Sequence, residues 1–310
     1  MGKYSDDTTW DDIVPLPQDD GGPNPLAAIA YTDEYSEAMS YLRAIMAKNE
    51  MSERALSLTE DIIDMNAAHY TVWLYRSEIL KALDSDLSQE LDWLNETALA
   101  HQKNYQIWHH RQLVVDRLNS CAGEAEFISQ MFDLDAKNYH VWSYRQWLVR
   151  RFNLWDEGEL EATEKLIDED VRNNSAWNHR FFLVSGGEEP KVGDKAVVDR
   201  EIEFAHKAIH KAPQNQSPWN YLRGILSAAN LPISSQLDFV NKFATVDSEH
   251  ENAVKSSHAL DLLAEIYAVE KSNREKAVKA YDLLASKYDP IRANYWAYLK
   301  GQLGQEQAVA

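Results

Sequence analysis

Lysine, tyrosine, glutamine and histidine side chains recur at corresponding places along this sequence, and together they could bind an anion. One segment reads Lys103-Asn104-Tyr105-Gln106, and a second, 34 residues further on, reads Lys137-Asn138-Tyr139-His140. Tyr70 occupies the corresponding place in an earlier segment. Ammonium, hydroxyl, amide and imidazole groups all donate hydrogen bonds, so such a row suits a phosphate or a carboxylate. The same row is equally consistent with a solvated face, and these residues alone leave both interpretations open.

A repeated tryptophan–arginine pair indicates which elements must position these side chains. The pairs are Trp73/Arg76, Trp108/Arg111, Trp142/Arg145 and Trp177/Arg180, and successive tryptophans are 35, 34 and 35 residues apart. A period of this size is typical of stacked helix pairs, because each pair buries its apolar face only against its neighbours. We expect the tryptophans to lie in the core, and each arginine to hydrogen-bond the backbone or to pair with an acid.

Each second helix of a pair is predicted to begin just after an asparagine, which is a good N-cap. The caps are Asn104, Asn138 and Asn173, whereas His69 stands at this place in the first pair and predicts a weaker cap. Residues 185–194 are predicted to be a loop insertion. The sequence therefore predicts an all-α fold, a right-handed, TPR-like superhelical solenoid of about seven antiparallel helix pairs between residues 50 and 305. Because corresponding positions in stacked pairs lie roughly 8–10 Å apart, the three tyrosines should form a ladder with Lys103, Lys137, Gln106 and His140 beside it.

Composition sets limits on domains, partners and location. Residues 1–30 are acidic and contain Pro and Gly, which predicts an arm ordered against a partner, and residues 31–305 are predicted to form a single domain. A formal net charge of -19 opposes a nucleic-acid or anionic-membrane surface. The one cysteine, Cys121, fits a reducing compartment. No apolar run approaches the roughly 20 residues that span a bilayer, and no signal peptide is visible. We expect a cytoplasmic protein that is not inserted in a membrane.

Other chemistry is not indicated by the residues. A single cysteine without close Cys/His/Asp spacing predicts no metal site on this chain. His109 and His110 are neighbours on a predicted helix and point in different directions, so we expect core or cap histidines. No phosphate-binding glycine loop and no Ser or Cys nucleophile stands out. These residues alone are typical of a binding scaffold.

The motifs support a more specific interpretation. Residues 66–73, 103–111, 135–142 and 169–178 closely resemble the alpha subunit of protein farnesyltransferase, which type I protein geranylgeranyltransferase shares. The resemblance extends from about residue 35 to residue 298, and four long motifs in order make it specific. It implies a crescent of helical hairpins wrapped around a separate beta subunit that holds the catalytic zinc, with magnesium as a further cofactor. The family transfers a farnesyl or geranylgeranyl group from its diphosphate to the cysteine of a C-terminal CaaX sequence, as in small GTPases.

The resemblance also implies roles for single residues. Lys103 and Tyr105 would lie near the diphosphate, and Tyr139 and His140 beside the substrates, with Asn138 in the same substrate-binding set. Gln106 would bind the C-terminal carboxylate of the CaaX acceptor, and Tyr70 would line the pocket for its last residue.

Two other functions remain open at this point. A non-catalytic helical-repeat adaptor could use the same row as a peptide-recognition groove. The alpha subunit of a Rab-type geranylgeranyltransferase is the other alternative: its animal forms carry extra domains for which this chain has no room, whereas compact fungal forms without those domains stay compatible with it. The clustering of polar residues in the Lys-Asn-Tyr-Gln and Asn-Tyr-His segments favours the CaaX enzyme, because generic repeats have no reason to keep them together.

Overall fold

The computed structural model describes residues 2–22, 25–27, 29–156, 158–247 and 253–305. Its contacts divide the chain into two compact units, Met1–Asn153 and Leu154–Ala310. Within the described ranges both units are helical, and β structure is limited to one bridging residue pair, Ala244 with Val254. The all-α prediction is confirmed, whereas the prediction of a single domain over residues 31–305 stays a prediction.

Unit 1 contains seven α-helices in its described part. They are α1 (Asp33–Ala47), α2 (Glu53–Met65), α3 (Tyr70–Ala82), α4 (Leu87–Ala100), α5 (Tyr105–Leu118), α6 (Glu124–Leu134) and α7 (Tyr139–Phe152), after a 3-10 turn at Thr8–Trp10. Helices α2/α3, α4/α5 and α6/α7 pack as pairs, and the second helices contact each other in the order α3, α5, α7.

Unit 2 continues the same plan. Its helices are α8 (Glu159–Glu169), α9 (Asn174–Ser185), α10 (Lys195–Lys211), α11 (Gln216–Ala228), α12 (Leu237–Val240), α13 (Ser257–Val269), α14 (Arg274–Leu283) and α15 (Ala293–Gln305). Shorter helical turns lie at Lys191–Gly193, Ile233–Gln236, Lys271–Asn273, Leu284–Tyr288 and Pro290–Arg292. Four pairs here and three in unit 1 make seven in the described chain, as predicted. The predicted insertion at residues 185–194 connects α9 to α10.

The repeated tryptophans lock the turn inside five of the helix pairs. Each indole N–H donates to the carbonyl oxygen six residues earlier, over 2.8–3.4 Å. The pairs are Trp73 to Ala67, Trp108 to Gln102, Trp142 to Ala136, Trp177 to Val171 and Trp219 to Pro213. All five tryptophans are buried, which confirms the prediction of the first four as core residues.

Arg76, Arg111 and Arg180 each pair with an acid from the following helix pair. Arg111 on α5 donates from Nε and Nη2 to the two carboxylate oxygens of Glu124 on α6, at 2.8 and 2.7 Å. The Tyr144 hydroxyl on α7 donates to the same carboxylate at 2.6 Å. Arg76 with Glu90 and Arg180 with Glu201 repeat the arrangement. Buried charges need such partners, so each carboxylate ties one helix pair to the next.

The asparagine caps are present as predicted. The Asn104, Asn138 and Asn173 side chains each accept hydrogen bonds from two backbone N–H groups in the first turn of the helix that follows. His69 makes no side-chain cap hydrogen bond, which confirms the weaker cap at the first pair.

The N-terminal segment differs from the predicted partner-dependent arm in its first part. Tyr4, Trp10 and Ile13 are buried, and the Tyr4 hydroxyl donates to Asp61 on α2 at 2.6 Å. Arg54, also on α2, makes a bidentate pair with Asp12 at 2.7 and 2.9 Å. Three dispersed apolar residues and this ion pair are enough to hold the segment against α1 and α2.

Candidate functional site

Three exposed tyrosines begin the second helices of unit 1. Tyr70, Tyr105 and Tyr139 are the first residues of α3, α5 and α7, and they are 70%, 69% and 70% exposed. Helix α3 packs on α5 and α5 on α7, as the predicted row of tyrosines requires. Large aromatic side chains at this exposure are unusual for a core and common at binding surfaces.

Lys103 lies in the turn between α4 and α5, and neighbouring helices hold this turn in place. The Gln102 carbonyl accepts hydrogen bonds from the Trp108 indole at 3.4 Å and from the Asn138 amide at 3.1 Å. The Lys103 side chain is 80% exposed, and its Nζ lies 3.8 Å from Oδ2 of Asp135. The backbone is therefore pinned, whereas the ammonium group points to solvent and can reach a ligand.

His140, the second residue of α7, joins this turn to the tyrosine row. Its ring is 4.3 Å from the ring of Tyr105 in an edge-on arrangement, and 5.6 Å from that of Tyr139. Partial burial lowers the pKa of His140 below its ordinary value, and a hydrogen bond to the Lys103 backbone offsets part of that shift. A pKa below 6.5 makes the neutral imidazole, with one donor and one acceptor nitrogen, the major form at pH 7.

Gln106 and Asn138 differ in how far their side chains are already committed. Gln106 is the second residue of α5 and is half-buried, with its backbone N–H capped by Asn104. Asn138 is buried, and both ends of its amide are used: Oδ1 caps α7 and Nδ2 donates to Gln102. Gln106 is thus available to a ligand, whereas Asn138 is better placed to hold the Lys103 turn than to contact substrate.

Two residues near this row, His109 and Asp135, were not predicted from the sequence. His110 is buried and its Nε2 lies 2.8 Å from the Glu90 carboxylate, as expected of a core histidine. His109, by contrast, is exposed on α5 one turn after Tyr105. Its i+4 spacing from Tyr105 was the available signal. Asp135, the residue facing Lys103, carried no signal, because turn side chains have no periodicity.

Within the described ranges, no three His, Cys, Asp or Glu side chains come together in a way that could hold a metal ion. The helices of the same part of the chain are too short or too polar to cross a bilayer.

Comparison with known proteins gives consistent matches. A family model described as protein prenyltransferase alpha subunit repeat matches residues 52–83, 87–118, 121–152, 156–186 and 198–229. The protein farnesyltransferase/geranylgeranyltransferase type-1 subunit alpha of Candida albicans is 42% identical over 297 residues, covering 93% of this chain and 95% of its own. Its counterpart from Schizosaccharomyces pombe is 45% identical over 301 residues, 96% of each chain. Both relatives are fungal.

A solved structure extends the likeness to three dimensions. A chain of Candida albicans protein geranylgeranyltransferase-I complexed with GGPP matches with a TM-score of 0.88 and 40% identity, covering 96% of this chain and all of that one. The type-2 geranylgeranyl transferase subunit alpha of Rattus norvegicus, by contrast, matches over 97 residues only, 28% of this chain.

Proposed function

We infer the function from one premise: this chain belongs to the protein prenyltransferase alpha subunit family, in the branch that farnesyltransferase and type-1 geranylgeranyltransferase share. We propose that it is active only as a heterodimer with a beta subunit. The heterodimer transfers a farnesyl or geranylgeranyl group from its diphosphate to the cysteine of a C-terminal CaaX sequence, as in small GTPases. The proposed location is the cytoplasm.

The observation that carries the proposal is the cluster of Lys103, Tyr105 and His140 on the exposed helix starts of unit 1. In the transfer, the acceptor thiol loses its proton, its sulfur bonds to C1 of the prenyl group, and the bond from C1 to the diphosphate oxygen breaks. Negative charge builds on the leaving diphosphate. Groups whose hydrogen bonds to the diphosphate strengthen as this charge develops lower the barrier to prenyl transfer.

Each residue of the cluster has a distinct part in this proposal. Lys103 supplies an ammonium group on a fixed turn, and the Tyr105 hydroxyl, at the positive end of α5, donates to the same diphosphate. His140 packs edge-on against Tyr105 at 4.3 Å and orients its ring. Tyr139 continues the wall of the substrate groove, and Asn138 holds the Lys103 turn.

The acceptor peptide is assigned to the neighbouring part of the row. The neutral amide of Gln106 offers two N–H donors to the C-terminal carboxylate, and Tyr70 lines the pocket for the last residue. Zinc and magnesium are proposed for the assembled enzyme, with zinc on the beta subunit. The described residues of this chain do not fit a metal site, so no step is assigned to either ion here.

Co-expression tests the proposal. The chain should co-purify with a type-1 beta subunit, and the pair should transfer a prenyl group to a CaaX peptide that neither chain modifies alone. Obligate interfaces commonly exceed about 2,000 Å², so we expect the chain to aggregate or to stay inactive without its partner. A monomer that prenylates the peptide unaided would contradict the proposal. Co-purification with a Rab escort protein would favour the Rab-type alternative, and peptide binding without transfer would favour the adaptor.

A further inference from the structure

Asp135 is held firmly in the turn between α6 and α7. It follows the last residue of α6, and its Oδ1 accepts a hydrogen bond from the Lys137 backbone N–H at 3.0 Å. Its other carboxylate oxygen, Oδ2, faces the Lys103 ammonium group at 3.8 Å. The Asp135 side chain is 33% exposed against 80% for Lys103. The carboxylate is therefore the fixed member of the pair, and the lysine is the member that can move.

We propose that Asp135 is a positioning residue that acts as the counter-ion of Lys103 in the free enzyme. It keeps the ammonium group beside the α6–α7 turn and competes with the prenyl diphosphate for it. This inference rests on the proposed function, because it assumes that Lys103 serves the diphosphate.

The geometry makes this competition weak and reversible. A separation of 3.8 Å is too long for a direct hydrogen bond, and exposed ion pairs contribute little. A diphosphate carries more charge than one carboxylate, so it draws Lys103 away once bound. Removing the Asp135 charge should then tighten diphosphate binding, whereas damage to the turn would weaken it. The direction of the change in diphosphate affinity therefore distinguishes loss of competition from damage to the turn.

Asparagine is a suitable replacement because the chain already uses it at this place. In the α2–α3 turn, Asn66 occupies the corresponding position, and its Oδ1 accepts the Ala68 backbone N–H at 3.2 Å. Asp135→Asn therefore keeps the turn hydrogen bond and removes only the charge. Asp133, exposed on α6 two residues earlier, offers a control with the same change in net charge.

The experiment measures the Kd of farnesyl or geranylgeranyl diphosphate for the assembled heterodimer. Asp135→Asn should tighten binding about 2–5-fold, the range expected for an exposed ion pair, and Asp133→Asn should have a clearly smaller effect. In a Lys103→Ala background, the effect of Asp135→Asn should shrink to that of Asp133→Asn, because the competing ammonium group is absent.

Three results would overturn the inference. They are unchanged or weaker binding in Asp135→Asn, an equal gain in Asp133→Asn, and a gain that persists fully without Lys103. Failure of the proposed function is seen separately, in the Lys103→Ala single variant. If that variant binds the diphosphate and reacts like the wild type, Lys103 has no part in the reaction, and the role of Asp135 falls with it.

Discussion

The Asn138 side chain donates a hydrogen bond from Nδ2 to the Gln102 carbonyl oxygen at 3.1 Å, so the cap of α7 holds the turn that carries Lys103. Oδ1 of the same side chain accepts from the backbone N–H groups of His140 and Val141. One buried amide thus connects the start of the second helix of one pair to the loop of the pair before it. The two halves of the proposed diphosphate site depend on each other through this contact.

The first prediction concerns this amide. Asn138→Ala should cost about 1–2 kcal/mol for the lost cap, and it should also release the Lys103 turn. We expect a lower thermal midpoint of the heterodimer together with a slower single-turnover prenyl transfer. Asn173→Ala, which removes the corresponding cap of α9, is the matched control and should lower the midpoint without slowing chemistry. Equal rates in the two variants would contradict a positioning role for Asn138.

The second prediction concerns the contribution of the buried carboxylates to stability. Glu124 holds Arg111 and the Tyr144 hydroxyl, and Glu124→Gln would leave a buried guanidinium without its counter-charge. Breaking such a pair from one side typically costs about 3–5 kcal/mol. Glu126→Gln changes the same charge on the exposed side of α6 and should be nearly neutral. Thermal midpoints of the two heterodimers compare them, and similar values would show that the pair does not stabilise the stack.

A third prediction is the pH dependence of stability. Burial lowers the pKa of His206, and its ring stacks on Phe239 at 3.5 Å. Because the folded pKa lies below the ordinary value of 6.5, the unfolded chain binds the proton more readily. The stability that neutral His206 contributes is therefore fully present above pH 6.5 and is lost as the pH drops from there toward the pKa of the folded state. His206→Gln should lessen the loss of thermal midpoint between pH 7.5 and 6.0. An unchanged pH dependence would mean that His206 titrates alike in both states.

Gln106 carries the fourth prediction. If its amide holds the acceptor carboxylate, Gln106→Ala should weaken CaaX peptide binding about 10–150-fold, since hydrogen bonds to charged groups contribute roughly 1.5–3 kcal/mol. The loss should shrink for a peptide with a C-terminal amide, whose charge is already missing. Measuring Kd for both peptides with both proteins completes a double-mutant cycle. Simple additivity would place Gln106 away from the carboxylate.

The repeat made most of the fold predictable from the sequence. Trp108 and Arg111 recur in several other pairs because those pairs bury the same face and tie themselves to the next, so periodicity reports tertiary packing. Asn104 and Asn138 were readable as caps because capping is local chemistry. Asp135 and His109 could not be singled out in this way. Asp135 matters because Lys103 lies opposite it in a neighbouring turn, and His109 because it shares an exposed helix face with Tyr105. Tyr4 and Trp10 were not predicted to be buried because their segment, which forms turns and one short 3-10 helix, has no hydrophobic period, and acids surround them in sequence.

The most direct test of the account is the single-turnover rate of prenyl transfer by the heterodimer with Lys103→Ala. An ammonium group that stabilises the charge of the departing diphosphate acts mainly in the transition state. The rate should fall by ~10–1000-fold, while the Kd of the prenyl diphosphate changes only a few-fold. Lys81→Ala, exposed in the last turn of α3, should leave both quantities unchanged. A Lys103→Ala enzyme that reacts at the wild-type rate would contradict the assignment of this turn to the reaction.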